Sequence, residues 1–191
     1  YSSRGPTWYD AGAKPDLVAP GHGLVATAAK SSTLYLNNPS LQVDGEYLRL
    51  NGTSMATAVV SGTVALILEA NRTAFPSGAG LTPNAVKAIL QFTALPARDD
   101  QGVPYDVLTQ GTGSVNAAGA IQVAARINTG LRVSSWWLTT NVDPWTAIDG
   151  QTVSWSESII WNDGISFGPV VSVNQPAWSQ NIVWGSGVNI V

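Results

Sequence analysis

A chain of 191 residues suits one medium domain, or a smaller domain with an appendage, and buries roughly 70% of its unfolded surface. Its net charge of -3, with only 11% charged residues, argues against a nucleic-acid or anionic-membrane partner, and the absence of cysteine excludes disulfides and thiolate metal sites. No unbroken apolar run reaches the roughly 18 residues that a membrane span needs, so none is expected.

The chain opens at Tyr1 with neither an initiator Met nor a signal peptide and is expected to be part of a longer protein. Residues 14–21, KPDLVAPG, hold a short apolar run closed by Pro-Gly, which predicts a buried strand entering a turn. LVATA (24–28) and EYLRLNG (46–52) predict two further strands, joined by the polar loop KSSTLYLNNPSLQVDG. From Met55 to Leu68 nearly every residue is Ala, Val, Leu, Ile, Gly, Ser or Thr. Such a stretch predicts a helix buried all round, with Ala56, Ala58, Ser61, Gly62 and Ala65 allowing close approach of neighbouring backbone.

LTPNAVKAIL predicts a second helix. Thr82 suits the N-cap, Pro83 the first helical position, and Val86, Ile89 and Leu90 share one face. DVLTQGTGSVNAAGAIQVAAR then reads as a glycine turn into a third, Ala-rich helix. Strands alternating with helices predict an α/β domain with a mainly parallel sheet. Composition changes near residue 130. All nine Lys and Arg lie at or before Arg132, and seven of the eight Trp at or after Trp136. Two modules are expected, 1–130 and 131–191.

The stretch NGTSMATAVVSG (51–62) sets Ser54 where a glycine-bearing loop becomes a helix. Thr53 or Ser54 there could serve only as an N-cap. A nucleophile fits the same place, because unpaired N–H groups and the helix dipole favour a developing oxyanion, and Gly52 lets a substrate backbone come close. Spacing alone leaves both readings open.

SSRGP (2–6), KPDLVAPG (14–21), NGTSMAT (51–57) and QGTGSVNAAGAI (110–121) occur in the order found in subtilisin-like serine proteases, and over roughly residues 1–128 the chain resembles the C-terminal half of that family's catalytic domain (peptidase family S8). The resemblance implies a partial three-layer fold with a mainly parallel sheet and a buried helix after the nucleophile. It implies that Ser54 is the acylating serine and that its own N–H forms half of the oxyanion hole. Asn51, Gly52 and Thr53 would support the site, and Met55 would be the adjacent, oxidation-prone thioether. The chain has Ala58 and Val59 where the family usually has Pro and often His; Pro is tolerated rather than required in a helix's first turn. The family's aspartate motif, its H-G-T-H motif and its oxyanion asparagine all precede APG, so they are expected on an upstream, complementary N-terminal segment. The 191 residues alone are therefore expected to be inactive.

Asp16, His22 and Ser54 follow the subtilisin order, yet the surroundings of His22 in APGHGL lack H-G-T-H, and Asp16 belongs to the structural KPD; no triad is read from them. GHGLVA matches a dinucleotide fingerprint only weakly, since no helix-length pattern follows. Asp99, Asp100 and Asp106 read as a solvated turn, because their spacing matches no Ca²⁺ loop. No metal ligand or cofactor is expected in this segment, although Ca²⁺ elsewhere in a full-length protein would suit the family. Asn51-Gly-Thr53 and Asn71-Arg-Thr73 fit glycosylation sequons, the first discounted because a glycan would block the proposed nucleophile.

In the last module WSESIIWNDGIS (155–166) and WSQNIVWGSGVN (178–189) align at a 23-residue offset, which suggests a small, repetitive, truncated β-rich tail. Its Trp either stack within that appendage or line a binding surface. The expected function is a serine endopeptidase acting on a polypeptide substrate, secreted or at the cell surface as the family implies, with neither nucleic acid nor membrane as partner. The alternative is a non-catalytic subtilase-like module whose tail binds or attaches to a surface.

Overall fold

A computed structural model describes residues 1–8, 11–131, 138–161 and 164–167. Helices and strands mix along the chain, and the contacts divide it into two compact units. The first comprises Tyr1–Ser2 and Ala19–Ser61, and the second Ser3–Val18 and Gly62–Val191.

The first unit is built on an antiparallel sheet in the order β1 (Leu24–Thr27), β3 (Tyr47–Leu50), β2 (Gln42–Val43). Leu24 faces Leu50 and Thr27 faces Tyr47, while Gln42 faces Leu48. Asp44 and Gly45 both take positive φ, 49° and 68°, and turn β2 back into β3. Such a turn matches the twist of the strands it joins, and Asp-Gly supplies it at little steric cost. Strand alternation puts Leu48 inward, where Tyr35 is also buried. The loop expected between the strands holds a short helix, α1 (Thr33–Asn37), whose N-cap Ser32 accepts from the Tyr35 N–H at 3.2 Å.

Helix α2 (Thr53–Ala74) is as long as its composition predicts, but it is not buried all round. Only Thr63, Ile67 and Asn71, one residue per turn, are buried. Ala58, Ser61, Gly62, Ala65 and Leu66 stand in the open, and none of the described residues covers them. The apolar composition arises from small side chains, each of which exposes little area at correspondingly small cost. By length and composition alone α2 would also cross a membrane. The Asn71 side chain gives it a different role: its Nδ2 donates to the carbonyls of Ala124 and Ile127, both at 2.8 Å. That burial also removes Asn71 as a glycan acceptor in the folded chain.

The second unit centres on α3 (Pro83–Phe92), capped as expected by Thr82, whose Oγ1 accepts from the Ala85 N–H at 3.1 Å. Val86, Ile89, Leu90 and Phe92 are buried. A short α4 (Val107–Gln110) leads through Gly111, at φ 63°, to α5 (Ala117–Ala124). The cap of α5 is Asn116, which also ties two other pieces to it. Its Oδ1 accepts from Gly119 N–H at 3.1 Å, and its Nδ2 donates to the Thr93 carbonyl at 3.0 Å and to Thr146 Oγ1 at 2.8 Å.

Thr146 lies on a hairpin of β4 (Trp145–Ile148) and β5 (Gln151–Ser154), closed by a second Asp-Gly turn at 149–150. A second hairpin pairs β6 (Ser158–Trp161) with β7 (Gly164–Phe167). Residues beyond the compositional step thus form part of the core. Trp155 is buried, meets Phe92 edge-on at 6.2 Å, and donates from Nε1 to Thr146 Oγ1 at 2.8 Å. It fits because position 119 is glycine: a Cβ there would lie 2.8 Å from the indole. Ile159 and Ile160 are likewise buried. The second repeat copy, 178–189, lies outside the described residues.

The mainly parallel sheet is not found among the described residues, where every named strand pair is antiparallel. Short turns join most of these strands, and a short turn forces reversal, whereas parallel pairing needs a long crossover. One parallel contact does exist, the bridge between Val18 and Ser114. The expected strand KPDLVAPG goes no further than such bridges, since Pro15 and Pro20 lack ladder donors on either side of it.

Asp16 lies in a fixed polar cluster. Lys14 and Lys87 approach its two carboxylate oxygens at 2.7 Å each, and Gln91 Nε2 donates to it at 3.1 Å. The fully buried Gln91 uses its other end to accept from the Ile160 N–H at 2.7 Å. Burial holds the Lys87 ammonium below the ordinary lysine value, while the hydrogen bond and charge of Asp16 work upward.

Two predictions follow from this packing. Trp155→Ala loses about 3–5 kcal/mol by large-to-small truncation, on the order of 10 °C in Tm, whereas truncating the exposed Trp145 shifts Tm little. The second concerns pH. The folded chain releases the Lys87 proton at lower pH than the unfolded chain, so rising pH favours the fold between the lowered value and the unfolded value of 10.5. Thermal melts across the alkaline range should show the wild type gaining on Lys87→Met as pH rises.

Candidate active site

The site is built where β3 runs into α2. Leu50 ends the strand, Asn51 and Gly52 form the loop, and the helix begins at Thr53. Gly52 occupies the capping position, because its carbonyl accepts from the N–H groups of Met55 at 3.1 Å and Ala56 at 3.3 Å. Its φ of 149° lies where only glycine sits without strain. The cap has no side chain, so neither Thr53 nor Ser54 serves as N-cap.

Ser54 is exposed on the first helical turn. Its hydroxyl makes no hydrogen bond among the described residues, and neither Thr53 nor Ser54 finds a backbone acceptor for its N–H. Unpaired amides at a helix start carry partial positive charge. The exposed, small-residue face of α2, with Ala58, Ser61 and Ala65, begins at Ser54. Thr53 is exposed, and its carbonyl accepts from Thr57 Oγ1 at 2.9 Å. Met55 is half-buried, its sulfur 3.5 Å from where a Cβ on Gly52 would stand.

The loop is held from the other side by residues 21–23. Gly52 N–H donates to the Gly21 carbonyl at 2.8 Å, and Gly23 N–H donates to Asn51 Oδ1 at 2.5 Å. Gly21 permits this approach: a Cβ on it would lie 2.6 Å from the Gly52 oxygen and 3.1 Å from Ala56 Cβ. Asn51 therefore acts as a tether, with its side chain occupied by backbone. The roles of Gly21 and Gly23 escape a sequence reading, which sees a turn in APGHG but not the strand end it meets.

The other titratable groups singled out by sequence have local partners or none. Asp16 is held by the two lysines and Gln91 described above. Asp99 accepts from the N–H groups of Gln101 and Val103, and Asp106 pairs with Arg4 at 2.8 Å, as befits a solvated turn. His22 is exposed. Among the described residues no imidazole or carboxylate bonds to Ser54, and no group of three His, Asp or Glu could hold a metal. A cavity of about 280 Å³ lies elsewhere, with Tyr105, Gln110, Trp155 and Ser156 in its wall.

Comparison with known proteins agrees with these motifs. The description of the Subtilase family (Peptidase_S8) matches residues 1–120. Serine protease AprX of Bacillus subtilis (strain 168) is 35% identical over 121 residues, 63% of this chain and 24% of its own. Pyrolysin of Pyrococcus furiosus is 32% identical over 130 residues, 67% of this chain and 8% of its own. Minor extracellular protease Vpr of Bacillus subtilis (strain 168) is 32% identical over 133 residues, 68% of this chain and 14% of its own. The chain thus spans a quarter or less of these relatives, and the family match covers the segment that carries NGTSMAT and QGTGSVNAAG. With the helix start, the glycine cap and the family match in agreement, the chain belongs to the subtilase family.

Proposed function

We propose that Ser54 is the acylating nucleophile of a serine endopeptidase whose histidine, aspartate and oxyanion asparagine are supplied by polypeptide outside these 191 residues. One observation carries the reading: an exposed, unpaired hydroxyl on the first turn of a long helix whose leading amides are also unpaired. A core serine would be covered, and a capping serine would be bonded to a helix amide. By their names, serine protease AprX supports the catalytic reading and minor extracellular protease Vpr supports a secreted or cell-surface setting.

In this reading the Ser54 hydroxyl oxygen attacks the peptide carbonyl carbon and passes its proton to the histidine, which the aspartate orients. The developing oxyanion meets the Ser54 N–H and the asparagine side chain, with Thr53 beside them. Collapse expels the amine, which takes its proton from the histidine, and water then releases the acid from the ester on Ser54. Gly52 leaves room for the substrate backbone, and Met55 is the adjacent thioether.

The bare face of α2 fits the same proposal. A line of Ala, Ser and Gly starting at the nucleophile is suited to close contact with other backbone, and the complementary N-terminal segment is its natural cover.

Three outcomes test the reading. A serine-directed covalent probe should label Ser54 in the full-length protein, and Ser54→Ala should lower turnover by roughly 10⁶, the size of loss known for the serine of subtilisin. The 191-residue chain alone should hydrolyse peptides no faster than its own Ser54→Ala variant. Gly21→Val should drive the tethering loop off Gly52 and slow labelling of Ser54 by at least roughly 10-fold, because small misplacements of reacting groups cost that much or more. Full-length protein that folds but leaves Ser54 unlabelled would favour the non-catalytic module instead.

A further inference from the structure

The chain's only histidine lies within the tether that holds the nucleophile loop. In β1 and β3 Leu24 faces Leu50; carrying that antiparallel register two residues further sets Gly23 opposite Asn51 and His22 opposite Gly52. The bonds from Gly23 N–H to Asn51 and from Gly52 N–H to the Gly21 carbonyl fix both neighbours of His22 against that loop. Gly21 itself lies against Ala56, in the same helical turn as Ser54. The His22 side chain is exposed and has no hydrogen bond or ion pair among the described residues. Its backbone is fixed while its ring is unengaged, as suits a group that meets a ligand.

Charge indicates the ligand's chemistry. The two segments that meet here, 19–27 and 48–61, hold no carboxylate and a single charged side chain, Arg49. No acidic side chain of these segments competes for the imidazole, which keeps at least one N–H donor in every protonation state. We propose that His22 is a specificity-determining residue of the substrate groove, favouring polypeptides with Asp or Glu close to the scissile bond. The assignment rests on Ser54 being the nucleophile and adds a substrate class to it. His22 takes no part in proton transfer with Ser54; it binds a substrate side chain.

The test uses the full-length protein, its His22→Ala and His22→Asn variants, and matched peptides carrying Glu or Gln at each of the two positions either side of the cleaved bond. An exposed charge-assisted contact supports a Glu-over-Gln ratio in kcat/KM of roughly 2- to 5-fold at one of these positions in the wild type. His22→Ala should bring that ratio to about one, and His22→Asn, which retains a donor, should keep part of it. A serine-directed probe run in parallel separates the failures. If Ser54 is labelled in every form and the Glu-to-Gln ratio is the same in wild type and His22→Ala, the specificity role is wrong and the catalytic reading stands. If Ser54 stays unlabelled in the wild type, both fall together.

Discussion

The site depends on a crossing of two glycines. Gly21 and Gly52 bring their backbones so close that a single methyl on Gly21 would strike the opposite carbonyl, and the bond from Gly52 N–H to the Gly21 carbonyl holds the crossing shut. Everything at the start of α2 follows from that contact. Gly52 can cap the helix with its own carbonyl at a φ closed to other residues, so no side chain is used for capping. Ser54 is then left with its hydroxyl outward and its amide unpaired. A conventional Ser or Thr cap would make a better-sealed helix end and a poorer anion site, since the capping oxygen would occupy the amides that a reacting carbonyl needs.

The same constraint explains the composition of α2. On the proposed reading, Ser54 must be reached by other polypeptide along that side, and bulky side chains below it would hold that polypeptide away. The face leading from Ser54 is Ala, Ser and Gly, while the opposite edge bears Ile67 and the hydrogen-bonding Asn71. Asn71 deserves its burial: it binds two carbonyls near the end of α5, where helix carbonyls lack internal partners. Two distinct jobs on opposite faces yield an averaged composition that looks like a core helix.

How legible this was in the sequence depends on the range of each interaction. The Thr82 cap with Pro83, the strands at 24–27 and 47–50, and the start of α2 depend on neighbours a few residues apart, and the sequence shows them. The place of Ser54 on the first turn of α2 was legible because NGTSMA is local. The burial of α2 was not, because composition records how apolar a helix is and not what lies beside it. The hairpins have local signals too, Asp44-Gly45 and Asp149-Gly150, whereas the parallel bridge of Val18 to Ser114 joins segments far apart in the chain. The bond from Gly52 to Gly21 joins segments about thirty residues apart, and neither glycine announces its partner.

The compositional step near residue 130 shows the same limit from another direction. The loss of Lys and Arg and the run of Trp look like a change of module, and the family match ends at residue 120. Asn116, just inside that match, nevertheless caps α5 with one end of its amide and holds Thr146 with the other, and Thr146 holds Trp155. Gly119, in the same QGTGSVNAAG motif, is the gap into which the indole fits. Composition reports the solvent and charge habits of a segment, whereas a core is defined by who fills whose space. A helix that begins Asn-Ala-Ala-Gly has room for one large flat side chain at its first turn, and in this chain that side chain is Trp155, from the Trp-rich segment. Trp155, Ile159 and Ile160, at the head of the first Trp-Ser repeat, are therefore part of the second unit's core.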